Sequence, residues 1–233
     1  MKRIAYYLCI IPLCLLSVLT LVYLVSRDEP LFSLRQIKIK GATQLTDQEI
    51  MRRALPFLRE SIFKADVDKV KEAVLAHPFV KEVSIKRVYP FSLLIEVKER
   101  LASALWVNPQ GDVVVLDEEG EAYRPLSKGE TGSLFLIRAG DKATAKSLYN
   151  QVGSWVREGA IKKESISEVV YNDGSITLVH LADGVEIILG KEDQKARLKR
   201  AATVLEDAKK RGLIIRCIDA RFDKGAIIKE RKG

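Results

Sequence analysis

The reactive side chains of this chain are few, and their spacing decides what chemistry they could carry. Ser61-Ile-Phe-Lys64 has the S-x-x-K spacing that sets a serine nucleophile beside a lysine in penicillin-binding enzymes. That chemistry also needs S-D-N and K-T-G segments, and neither occurs. Ile62 and Phe63 therefore read as core contacts between two helices, and Lys64 as solvated. Gly184 to Lys191 resembles a phosphate-cradling loop, but its glycines stand one residue too far apart and Glu192 replaces the Ser/Thr that would hold magnesium. Only two histidines are present, His77 and His180. His77 precedes a proline and reads as a helix-terminating residue rather than a ligand. No H-E-x-x-H or C-x-x-C spacing occurs, so no metal site is expected. Carboxylates are plentiful, yet they fall in turns and on charged helix faces, and spacing selects no acid and base pair among them. The expectation is no catalytic residue, no cofactor and no metal: a protein that works by binding.

The thiols and charges narrow the setting. Of three cysteines, Cys9 and Cys14 fall in an uncharged apolar run from Ile4 to Val25, which leaves Cys217 without a partner. No disulfide framework is available, so the fold must rest on its core. The run is long enough for a single membrane span, and Pro12 within it is tolerable there. Its length exceeds a signal-peptide core, and no small-residue cleavage site follows. Lys2 and Arg3 precede it and Arg27 follows it, which places residues 1–3 in the cytoplasm and everything beyond on the outer side. The formal net charge is +8. Residues 28–190 carry 22 basic and 24 acidic side chains, whereas residues 191–233 carry 14 and 7. The excess outside the anchor is thus carboxy-terminal, suited to an anionic lipid, a cell-wall polymer or an acidic partner, and nucleic acid is not expected.

The elements that must position any binding surface can be read in order. Leu34 to Lys40 alternates apolar and basic residues as a half-buried strand closed by Gly41. Thr46-Asp-Gln-Glu49 is a capping box that should open a helix carrying Ile50 and Leu55 inward. Asp66 should cap a second helix with Val67, Val70, Val74 and Leu75 on its buried face. Phe79–Val88 and Phe91–Val97 read as a hairpin around Tyr89-Pro90. The order through Arg100 is β-α-α-β-β. Beyond it, short strands are expected at 101–107, 113–116, 166–171, 176–181, 185–189, 213–218 and 226–228, with turns at Asn172-Asp-Gly174 and Ala182-Asp-Gly184. Helices are expected over Thr144–Arg157 and Asp193–Arg211, the latter closed by Gly212. The fold class is α+β: an N-terminal single-pass transmembrane helix, a β-α-α-β-β domain, then a β-rich domain with an antiparallel sheet and two helices. The boundaries are a tail at 1–3, the span at 4–25, a linker at 26–33, domains at 34–100 and 101–229, and a tail at 230–233.

In this order the chain resembles the bacterial cell-division family FtsQ/DivIB. The first domain carries Ile37-Lys-Ile-Lys-Gly41, His77-Pro-Phe-Val80, Val83-Ser-Ile-Lys-Arg-Val88 and Leu94-Ile-Glu-Val-Lys-Glu-Arg100, similar to the polypeptide-transport-associated (POTRA) domain of that family. Leu116-Asp117 with Gly120, Gly184 to Gly190 before a long helix, and Ile218-Asp-Ala-Arg-Phe222 with Gly225 continue the pattern. Phe79, Ala220 and Phe222 stand where the family often has tryptophan, leucine and tyrosine. The resemblance implies a non-enzymatic divisome scaffold at the septum, in the bacterial inner membrane with its domains outside the cytoplasm. It implies partners among the small single-pass coiled-coil proteins FtsB/DivIC and FtsL, with the FtsK, FtsW and FtsI families as further candidates. Strand addition at the last strand is the implied contact, through Arg221, Phe222, Gly225, Ala226 and Ile228. Ser84, Ile85, Lys86 and Arg87 of the first domain form a second expected contact, toward an upstream component. The competing expectations are a POTRA-containing polypeptide transport accessory and a membrane-tethered cell-wall enzyme.

Overall fold

A computed structural model describes residues 2–27, 32–127, 130, 134–180, 182–223 and 225–231, with side chains from 11 to 23 in the first helix. Parts of the expected linker (28–31) and tails (1, 232–233), and Leu181 at the end of an expected strand, lie outside these residues. Lys2–Arg27 form α1, with Pro12 inside it. Among the described residues no helix is long and apolar enough to cross a membrane.

The chain divides into two compact units, Met1–Glu99 and Arg100–Gly233. In the first, β1 (Gln36–Lys40) leads into α2 (Asp47–Ala54), whose capping box is complete: Glu49 N–H donates to the Thr46 hydroxyl and Thr46 N–H to the Glu49 carboxylate. A 3-10 turn at Leu55–Phe57 follows, then α3 (Val67–Leu75), capped by the Asp66 carboxylate. β2 (Val80–Val88) and β3 (Ser92–Glu99) close the unit as an antiparallel hairpin. The sheet order is β1-β3-β2, with β1 parallel to β3, the crossover between them running through α2, α3 and β2. Ile50, Ala54, Val70 and Val74 pack on Val83, Leu93, Ile95 and Val97 in one core.

Three expected core residues lie outside it: Leu55, Leu75 and Phe63 are exposed. Leu55 enters the 3-10 turn before Pro56, which rotates it off the face that Ile50 defines. Leu75 follows the buried Val74 by one residue, about 100° around the helix. Phe63 follows the fully buried Ile62 in a turn, where neighbouring side chains diverge.

The second unit is built on a single nine-stranded sheet. Its elements are β4 (Ala102–Val107), β5 (Val113–Asp117), β6 (Ala122–Pro125), β7 (Leu136–Arg138), α4 (Lys142–Arg157), β8 (Ile166–Asn172), β9 (Ser175–His180), β10 (Glu186–Gly190), α5 (Gln194–Lys210), β11 (Ile215–Asp219) and β12 (Ile227–Glu230). The strand order is β12-β11-β10-β9-β8-β7-β4-β5-β6. The sheet is mixed, not antiparallel as expected: β4 with β7, β7 with β8, and β10 with β11 run parallel. The two helices account for two of these pairs, since α4 carries the chain from β7 to β8 and α5 from β10 to β11, the crossovers that parallel neighbours need. Leu148, Val152 and Trp155 of α4 and Leu198, Ala201 and Leu205 of α5 share one core with Ile137, Val169, Leu178, Ile187 and Ile218 of the sheet. The β8–β9 hairpin turns on Asp173 and Gly174, both at positive φ, which suits the Asp-Gly pair there.

Candidate functional site

β12 is the outermost strand of its sheet, and among the described residues β11 is the one strand it pairs with. Its four residues are all exposed. An edge of this kind presents a row of backbone donors and acceptors to any strand that approaches it. Ile227 and Ile228 point to opposite faces of the pleat, yet both are exposed. Leu213 and Ile214, also exposed, lie at the other end of β11, where Arg231 N–H donates to the Ile214 carbonyl. Phe222, nearly half exposed, stands at the turn into β12. The edge is therefore flanked by apolar side chains along its length, with Lys229 and Arg231 adding positive charge.

The turn into this edge is braced by an arginine clamp. Asp219, at the end of β11, is buried and accepts from Arg221 through both oxygens, Nε at 2.9 Å and Nη2 at 2.6 Å. The Arg221 contact holds the carboxyl below the ordinary range against the opposing effect of burial. The Arg221 stem passes over Gly190, where an added Cβ would stand 3.0 Å from Arg221 Cγ and 3.1 Å from Arg197 Nη1. Gly190 has a φ of +74°, so position and backbone both require glycine. Arg197, buried in α5, donates to the Leu189 carbonyl at 3.0 Å. Gly225 has a φ of +149° and open space around it, which marks a turn glycine.

Of the expected contact residues, Phe222 and Ile228 are exposed beside the edge, Ala226 packs partly on the core, and Gly225 shapes the turn. Arg221 serves as a brace while more than half of its side chain stays in solvent. Ile227 is not among the expected contact residues, yet it is exposed like the rest of this edge strand. Ile214 was missed because it lies one residue before β11 begins. The run Leu213-Ile-Ile215 was the available signal, being more apolar than one buried face requires.

The second expected contact falls on β2, an edge of the smaller sheet. Ser84 and Lys86 are exposed, and Lys86 pairs with Glu96 at 2.7 Å. Ile85 packs against the core. Arg87 is turned to internal work, donating to the Ile62 and Ala65 carbonyls at 2.9 and 3.0 Å.

Ser61, His77, His180 and the Gly184–Gly190 segment make local structural contacts. Ser61 is buried, and its hydroxyl accepts from Phe63 N–H. His77 follows α3, with Nδ1 accepting from Phe79 N–H, and His180 Nδ1 lies 2.8 Å from Asp183. Gly184 to Gly190 is a turn and strand β10. Asp117 is buried, binds Arg100 and accepts from Glu119 and Glu121 N–H at the β5–β6 turn. Burial pushes the Cys217 thiol up. Among the described residues no group of His, Cys, Asp and Glu could hold a metal ion.

Comparison with known proteins matches two adjoining families. Residues 32–100 match "POTRA domain, FtsQ-type", and residues 104–221 match "Cell division protein FtsQ/DivIB, C-terminal". The second match ends at Arg221, before β12. Among similar proteins, Cell division protein FtsQ of Myxococcus fulvus is 30% identical over 195 residues, covering 79% of this chain and 68% of its own. The proteins of that name from Methylomonas methanica and Geotalea daltonii are 26% identical over 204 residues and 24% over 221. These cover 86% and 90% of this chain, and 79% and 80% of their own.

Proposed function

The chain belongs to the FtsQ/DivIB family of cell-division proteins, and from that premise we propose that it is a membrane-anchored divisome scaffold that acts by strand addition at β12. Its role is to bind, not to catalyse. The apolar run Ile4–Val25 serves as a single-pass anchor in the inner membrane, amino terminus inside, and the two units work outside the cytoplasm at the septum. The partners are small single-pass coiled-coil proteins of the FtsB/DivIC and FtsL kinds, with FtsK-, FtsW- and FtsI-type proteins engaged directly or through them. The scaffold links early division components to septal peptidoglycan synthesis.

The observation that carries this reading is the free edge of β12, exposed at every residue and bordered by Phe222, Ile227, Ile228 and Ile214. Main-chain hydrogen bonds to an added strand supply affinity, and the flanking apolar side chains select the partner. The 14 basic against 7 acidic residues of 191–233 favour an acidic partner segment. On the β2 edge, Ser84 and Lys86, the exposed side chains of the Ser84–Arg87 stretch, serve a second, upstream contact.

In-cell photocrosslinking from Phe222 and Ile228, followed by depletion, tests the proposal. The expected result is capture of small single-pass coiled-coil proteins and filamentous cells on depletion. Crosslinks confined to secreted cargo, with normal septa, would overturn it in favour of a transport accessory.

A further inference from the structure

We infer that the end of the first unit where the chain arrives from α1 is a membrane seat, an aromatic and cationic patch that lies against anionic lipid. The inference rests on the reading of α1 as an anchor. Three of the chain's seven phenylalanines, Phe32, Phe63 and Phe91, gather at this end with Tyr89. The rings of Phe32 and Phe63 are 5.0 Å apart, and those of Phe63 and Tyr89 5.7 Å. Phe63 is 53% exposed and Tyr89 59%, although both are large enough to belong in a core. Leu55 and Val88 are also exposed.

The patch is built rather than frayed. Ile62 N–H donates to the Phe32 carbonyl at 2.9 Å, Leu34 N–H to Glu60 at 2.7 Å, and Arg35 N–H to Phe91 at 2.9 Å. These bonds join the entering chain, the 60–64 turn and the β2–β3 turn. The Arg87 bonds to Ile62 and Ala65 brace the same turn from β2. The Arg35 guanidinium lies 6.0 Å from the Phe91 ring. Arg35, Arg59 and Lys64 line a groove here with Leu55 and Leu58, and among the described residues Glu60 is the one acidic residue that lines it.

Two considerations select lipid as the occupant. The five Cα–Cα steps from Arg27 to Phe32 can span no more than roughly 18 Å. The patch therefore cannot stray far from the end of the anchor. Its composition is also that of the headgroup layer, where aromatic rings sit at the apolar boundary and lysine and arginine meet anionic phosphates.

The test uses the full chain with Cys9→Ser, Cys14→Ser and Cys217→Ala, reconstituted in phosphatidylcholine vesicles with or without phosphatidylglycerol. An environment-sensitive fluorophore is placed by Glu60→Cys in the patch or by Leu16→Cys in α1. Spin labels on lipid headgroups and deep on acyl chains serve as quenchers. The expected result is headgroup quenching at position 60, strongest with phosphatidylglycerol, and deep quenching at position 16. Quenching at 60 should fall with Phe63→Ser plus Tyr89→Ser, and by up to about fivefold for each of Arg35, Arg59 and Lys64 changed to glutamine. These side chains are exposed or lie at the surface, and circular dichroism of each variant should match the parent. A quenched label at 16 with an unquenched label at 60 would overturn the inference and leave the anchor standing. An unquenched label at 16 would overturn the anchor, and the membrane seat with it.

Discussion

Glu99 shows how one side chain can fasten a loop to a sheet. It ends β3, is buried, and accepts from Thr43, Gln44 and Leu45 N–H and from the Thr43 hydroxyl. Burial alone would raise its pKa, but the Thr43 hydroxyl and the three backbone donors outweigh burial and hold it at about 2. A depressed carboxyl stabilises the fold above its unfolded pKa, and the contribution disappears as pH falls from about 4.5 toward about 2. That window is worth on the order of 3 kcal/mol in the first unit. Glu99→Gln should lower stability at pH 7 by about 2 kcal/mol. It should also flatten the loss between pH 5 and pH 3 in denaturant titrations followed by circular dichroism. At Gly190, an alanine must adopt positive φ and meet the Arg221 stem, so Gly190→Ala should cost about 1–2 kcal/mol, read by tryptophan fluorescence. Local devices such as the Thr46–Glu49 box and the Asp173-Gly174 turn were legible because their partners are a few residues apart. The Glu99 anchor and the Arg100–Asp117 pair were not, because their partners meet only after the chain has folded.

Strand addition belongs to the element β12, whose exposed residues can be changed at little expense to the fold. Ile227→Lys and Ile228→Lys should leave the stability of the second unit within about 0.5 kcal/mol, since neither side chain is buried. The same changes should sharply reduce partner crosslinking from Phe222, because charge on an edge discourages strand addition. Crosslinking at the unaltered level with both lysines in place would remove β12 from the contact. Most elements could be read within two residues of their bounds, since apolar spacing reports which face is buried. Strand direction could not be read, because a period of two is the same in parallel and antiparallel neighbours. β6 and β7 escaped for another reason: with four and three residues, they are too short to display a period. Recognising β7 before α4 would have signalled the parallel β7–β8 pair.

At the scale of the whole molecule, the two hydrophobic clusters share no residue, one serving the β-α-α-β-β unit and the other the nine-stranded sheet. Both tryptophans, Trp106 and Trp155, lie in the second unit, so tryptophan fluorescence follows that unit alone. Leu93 is fully buried in the first core and Leu178 in the second. Removing either side chain to alanine should cost about 3 kcal/mol, the transfer and cavity loss of a buried leucine. Two cores that unfold separately then make distinct expectations for full-length protein in detergent. Leu93→Ala should move the part of the circular-dichroism transition to which fluorescence is silent, with the fluorescence midpoint unchanged. Leu178→Ala should move the fluorescence midpoint and leave the other transition in place. A fluorescence midpoint displaced as far by Leu93→Ala as by Leu178→Ala would mean one cooperative body. Force or ligand applied at β12 would then be felt in the unit beside the anchor, whereas separate cores confine a β12 contact energetically to the sheet that bears it.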